Sequence, residues 1–215
     1  MGEDTDWFEE TWRYRDYVLY PQQFRSNTDG LIITIPSLAF AQLGVEEIDP
    51  RWLHCGVLKF RLPGERAGVA CVTSGLSNAW DDERPDAESI SGLGIELRID
   101  NAADEDWAVD VLLRLAAMQL LIGAGRLPGA RLLGHGDRVR VGADTFGNGS
   151  SMTSLLATKV VDLQLASGTF QMIRLFAITG AERELGSQRG AEALIAVLRE
   201  RTSYPVNNIA RQSVV

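Results

Sequence analysis

The stretch from Val69 to Ile99 most constrains what this chain can fold into. Val69 to Ser74 is a run of β-branched and small residues, the composition of a buried strand. Gly75 closes the run, where a residue without Cβ lets the backbone turn. Asp81 to Ser91 is polar and holds Pro85, so no central strand passes through it. Beyond it Ile95, Leu97 and Ile99 alternate with Glu96 and Arg98. That period of two predicts a half-buried strand with the charged pair on the uncovered side. Two strands joined by a long charged loop make a rigid floor with a displayed rim.

Other segments follow the same logic. Trp7 to Tyr14 is a short amphipathic helix in an aromatic arm, and Tyr17 to Tyr20 reads as a strand stopped by Pro21. Leu31 to Ile35 reads as a strand, and residues 37–51 as a loop with one helical turn. Residues 57–73 form a hairpin turned at Pro63-Gly64. From Trp107 the apolar residues Val111, Leu112, Leu115, Met118 and Ile122 fall on helical spacing. A helix over 105–123 follows, capped by Asp104 or Asp106 and ended by Gly123 and Gly125. Leu155-Leu156 and Val160 to Leu165 are strands, and Ser167-Gly168 suits a tight turn into an apolar central strand, Phe170 to Ile178. Thr179 to Glu182 is a capping box opening a second helix, 180–201, bent near Gly186 or Gly190. The last fifteen residues cross the surface as a strand or tail. The fold expected is α+β, a twisted mixed or antiparallel sheet with two main helices. Residues 1–25 are an arm packing on a single domain, 26–215.

Charge narrows the partners. The formal net charge is −8, yet it is unevenly placed. Residues 1–110 carry 22 acids and 9 bases, and residues 111–215 carry 7 acids and 12 bases. An acidic half disfavours nucleic acid, whose phosphates need cations, and steers in a basic partner. No apolar run approaches a membrane span, and the acidic, aromatic start is unlike a signal peptide, so a cytoplasmic location is expected. Cys55 and Cys71, the only cysteines, sit in apolar runs and read as buried free thiols.

Catalytic chemistry has little to work with. His54, beside Cys55, reads as a packed core histidine, and His135 lies in a turn. No zinc-ligand spacing occurs. Asp81, Asp82, Glu83 and Asp86 lack the EF-hand pattern and read as a solvated loop, so neither metal nor cofactor is expected. Gly75 to Ala79 is one residue short of a nucleophile elbow. A hydrolase using Ser77 and His135 is therefore the enzymatic alternative, and a structural subunit that self-associates through its N-terminal aromatics is a third reading. The sequence leaves the oligomeric state open.

Thr73 to Trp80 followed by Ser91 to Leu97 resembles the signature of the suppressor-of-fused domain. Trp107 to Ala116, Phe170 to Glu184 and Pro205 to Arg211 resemble later parts of that family in the same order. The resemblance covers roughly residues 50 to 215. It implies a non-catalytic protein-binding module. The animal protein binds a Gli-type peptide by strand addition between two lobes, whereas this chain holds the equivalent of one lobe. Shorter bacterial members resemble immunity proteins of toxin systems. The resemblance therefore implies a protein partner, either a basic toxin domain or an extended peptide. Trp80, Asp81 and Asp82 are expected on the binding rim, with Ser77 and Asn78 shaping it.

Overall fold

The computed structural model describes residues 6–28, 31–64, 68–81, 86–147 and 149–215. Its strands are β1 (Ile33–Thr34), β2 (Gly56–Leu62), β3 (Gly68–Ser74), β4 (Ile90–Asn101), β5 (Arg138–Arg140), β6 (Met152–Leu165) and β7 (Gly168–Thr179). They form one seven-stranded sheet in the order β1-β2-β3-β4-β7-β6-β5. All neighbours run antiparallel except β4 and β7, which are parallel. The fold is thus α+β with a mixed sheet, as the sequence predicts. The β2–β3 hairpin pairs Leu62 with Gly68, and the β6–β7 hairpin pairs Leu165 with Gly168. The two strands expected around residues 155–165 are one long strand, its register shifted between Lys159 and Val161.

Helices cover both faces. α4 (Asp106–Gly123), the next helix after the short α3 (Ser37–Ala41), lies on the first, where Leu112, Ala116 and Leu120 meet Val57, Cys71, Leu97, Ile99, Ile173 and Leu175. Each large apolar side chain buried there contributes about 1.5–3 kcal/mol. α4 begins one residue later than expected. Glu105 stands at its N-cap without a capping bond, its carboxylate instead accepting from Trp107 Nε1 at 2.7 Å. Asp104 is drawn off to Lys59 Nζ, at 2.5 Å.

The second face carries two apolar groups. Tyr20 and Phe24 pack with Leu58, Phe60, Val72 and Met172, while Leu194, Ile195 and Leu198 pack with Leu156, Phe176 and Ile178. The second trio belongs to α6 (Ala191–Arg201), which follows α5 (Gly180–Arg189) after a break at Gly190. The Thr179–Glu182 capping box is formed in full.

Three expectations need correction. Tyr17 to Tyr20 is not a strand. α1 (Asp6–Tyr14) runs on through a π-helical turn, Arg15–Leu19, into α2 (Tyr20–Phe24). The wider turn admits Pro21, which would break a regular helix, and it faces two consecutive residues, Arg15 and Asp16, inward. β1 is only two residues of the five expected. His54 is exposed, because Pro50–His54 forms a surface 3-10 turn capped by Asp49, and only Cys55 enters the core. The C-terminal segment meets the sheet at an isolated parallel bridge, Asn207 to Asn101, and is pinned there by its side chain: Asn207 Nδ2 donates to Asp100 O at 2.9 Å, and Asn207 Oδ1 accepts from Ala177 N at 2.7 Å. Among the described residues no helix is long and apolar enough to cross a membrane.

Candidate functional site

The end of β3 and the start of β4 meet at a tight turn. Gly75 has φ of 129°, and a Cβ there would lie 2.4 Å from Cys55 Sγ. Gly92 holds φ of 53° against the carbonyls of Leu76 and Asn78. Across the turn Leu93 N–H donates to Leu76 O at 2.8 Å, and Ser91 Oγ donates to Ser77 O at 2.6 Å.

Beneath the turn lies a buried ionic network. Glu96, expected on an uncovered face, is 0% exposed. Its carboxylate accepts from Gly75 N (3.1 Å), Ser77 N (2.9 Å), Ser77 Oγ (2.7 Å) and Thr73 Oγ1 (2.5 Å). Arg15, 1% exposed, reaches the same carboxylate from the π turn at 3.3 Å. It also donates to Asp16 (2.8 Å), Ser74 Oγ (2.6 Å), Ser77 Oγ (2.9 Å) and Asn78 Oδ1 (2.6 Å). Ser74 Oγ in turn donates to Asp16 at 2.7 Å. Burial pushes the Glu96 carboxyl above its usual range, against the pull of Arg15 and its hydroxyl and amide donors. Burial also works against the Arg15 charge, but Asp16 and Glu96 outweigh it and raise the pKa above the ordinary arginine value.

The network fixes what sits above it. Ser77 is buried inside it, so it shapes the turn and meets no solvent. Asn78 is half-buried, bound to Arg15. Trp80 is half-buried and stands as a wall between two clefts of about 240 and 360 Å³. The larger is lined by Phe8, Trp12, Ile32, His54 and Trp80 over a floor of Asp16 and Ser74. Phe8 packs on the Trp80 ring at 4.9 Å, and the Arg51 guanidinium lies 5.8 Å from its centroid. The Trp80 indole N–H has no acceptor among the described residues. The Asp81 side chain is 86% exposed and pairs with Arg51 at 3.0 Å, which also holds Asp49 at 2.6 Å. Two carboxylates thus share one cation, leaving a surplus negative charge on the rim. Asp82 lies outside the described residues.

The Ser77–His135 pair is not assembled. Ser77 Oγ donates to Glu96 and accepts from Arg15. His135 is exposed, with Nδ1 accepting from Lys159 N–H at 3.2 Å and Nε2 on Glu192 at 2.7 Å. Among the described residues no three His, Cys, Asp or Glu side chains group to hold a metal ion.

The network residues Arg15, Asp16 and Glu96 escape the sequence reading. One signal was present: Thr11, Arg15, Tyr20 and Phe24, all buried, recur every four or five residues. The acidic balance of residues 1–110 also overstates the surface field, because Asp16, Glu96 and Asp100 are internal.

The chain resembles the crystal structure of Drosophila Suppressor of Fused at 17% identity and a TM-score of 0.57, over 74% of this chain and 42% of that one. It therefore spans less than half of the Drosophila chain. A Sufu–Fu complex structure matches at 17% identity and a TM-score of 0.61, covering 86% of this chain and 93% of that one. A structure described as a SUFU homolog from Neisseria gonorrhoeae FA 1090 matches at 17% identity and a TM-score of 0.62, covering 94% and 96%. A search of curated proteins finds no match. The family model for suppressor of fused protein matches residues 51–212, from the 3-10 turn to the pinned C-terminal segment, and the chain belongs to the suppressor of fused family.

Proposed function

We propose that this chain is a protein-binding module. It presents the Trp80–Asp81 rim to a protein partner and neutralises that partner in the manner of an immunity protein, with no bond made or broken. The observation that carries the reading is the rim itself: an aromatic wall between two clefts, edged by a surplus carboxylate and set on a buried, fully tied network. A surface held this firmly loses little conformational entropy on association. Trp is a frequent anchor of interfaces, and its neighbouring clefts can admit partner side chains. The exposed Asp81–Arg51 pair is worth about 0–1 kcal/mol, so Asp81 can exchange it for an incoming cation at little cost. Asp82 is proposed to extend this rim.

A related family structure is a Sufu–Fu complex, which accords with a protein partner. Of the two partner forms, a folded basic domain suits this chain better than an extended peptide. The sheet edges are β1 and β5, of two and three residues, too short to hold the register of an added strand.

The test is affinity capture with the purified chain and with Trp80→Ala and Asp81→Ala variants. The proposal expects one discrete basic protein, retained at low salt, released as salt rises, and lost from the Trp80→Ala chain. Capture that is unchanged in both variants would move the interface elsewhere.

A further inference from the structure

A polar seam separates the two apolar groups on the second face of the sheet. Arg98 of β4 and Arg174 of β7 are register partners there. Asp100 binds both, accepting Arg98 Nε at 2.5 Å and Arg174 Nε at 3.0 Å. Each guanidinium spends only its Nε on protein. The Nη groups of both have no hydrogen-bond acceptor among the described residues. Arg98 is 7% exposed, with its guanidinium 4.5 Å from the Phe24 ring centroid, so one flat side is covered and its edge stays available.

These groups line a cleft of about 250 Å³, walled by Phe24, Leu62, Pro205 and Val206. A third cation, Arg25, lines it as well. Arg25 ends α2 with φ of 53°, the left-handed conformation that non-glycine residues rarely adopt. Its guanidinium also has no acceptor among the described residues. Three guanidiniums thus face one carboxylate, in a chain whose overall charge is −8. Burial and the neighbouring Arg174 both oppose the charge on Arg98, as a site short of one anion would show.

We propose that this cleft is a phosphate-binding site, taking free phosphate or a phosphate monoester. The two surplus positive charges match a phosphate, which carries about −1.5 to −2 at pH 7, whereas a carboxylate would neutralise only one. Guanidinium forks suit several acceptor oxygens at once. The cleft shares no lining residue with the two clefts at Trp80, so the proposal is independent of the binding rim.

The test is calorimetric titration of the full chain with inorganic phosphate, phenyl phosphate and acetate, at constant ionic strength in chloride. The variants are Arg25→Gln and Arg174→Gln, with Arg189→Gln on exposed α5 as control. Saturable one-to-one binding of phosphate or phenyl phosphate is expected, the tighter of the two naming the source. Each cleft variant should weaken it at least tenfold, and the control should leave it unchanged. Arg25 is exposed, so its variant reads the site even where Arg174→Gln disturbs folding. Absence of saturable binding, binding that survives Arg25→Gln, or acetate bound as tightly as phosphate would overturn the assignment.

Discussion

Arg15→Met is the sharpest perturbation of the buried network. It removes a cation that is 1% exposed and leaves Glu96, Asp16 and Asn78 Oδ1 without their shared donor. Taking one partner from a buried ion pair costs about 3–5 kcal/mol, because the remaining charge stays dehydrated. Domains of ordinary stability have about 5–15 kcal/mol in total, so the change removes a large share. Urea unfolding followed by tryptophan fluorescence reads it directly. With an m-value of about 2 kcal/mol/M, a loss of about 4 kcal/mol lowers the midpoint by about 2 M. Glu96→Gln completes a cycle. If the two residues act as one unit, the double variant should cost less than the sum by at least about 1 kcal/mol. A midpoint shift under about 0.5 M, or strict additivity, would refute the network as the element that holds the N-terminal helices to the turn.

Three further outcomes follow from the structure. Glu182 is buried, and although burial raises its pKa, Arg211 and the Thr179 and Val214 amides outweigh that and hold it below its usual range. It therefore adds stability above about pH 4.5 that is lost as the pH falls through its folded value. Melting temperatures of wild type and Glu182→Gln should differ most at neutral pH and converge on acidification; a constant gap would contradict this. Gly75→Ala should destabilise by more than Gly44→Ala on thermal melting. Both have positive φ, but the new Cβ meets Cys55 only at position 75, so equal losses would show that the contact is relieved without cost. Burial pushes the thiols of Cys55 and Cys71 up to about 12, so neither should react with a disulfide reagent at pH 8 until the chain unfolds. Fast reaction of either in the native protein would show a route to solvent.

Elements with a local signal were legible in the sequence. The apolar spacing of α4, the Thr179–Glu182 capping box and both hairpins each rest on residues close together in the chain. What the sequence concealed depends on a second covering layer. Glu96, Arg98 and Asp100 alternate with Ile95, Leu97 and Ile99, and alternation on a strand ordinarily means one wet face. Here Glu96 lies under the π turn and Arg98 under Phe24, at the end of α2, and two of the charges are met by groups distant in sequence: Arg15 for Glu96, and Arg174 for Asp100. The covering segment was misread because Tyr17 to Tyr20 has strand composition and Pro21 suggests a stop. At the rim, the sequence pointed to Trp80, Asp81 and Asp82 as binding residues; Trp80 is half-buried, Asp81 is exposed, and Asp82 lies outside the described residues. The sequence did not distinguish Ser77, whose hydroxyl is consumed by the network.

The most direct measurement is the affinity of the purified chain for its isolated protein partner, by calorimetry, for wild type and Trp80→Ala at two salt concentrations. The account predicts one-to-one binding that weakens with salt, falls at least tenfold in the variant, and leaves both proteins covalently intact by mass. Equal affinity in the variant, or a mass change in the partner, would contradict it.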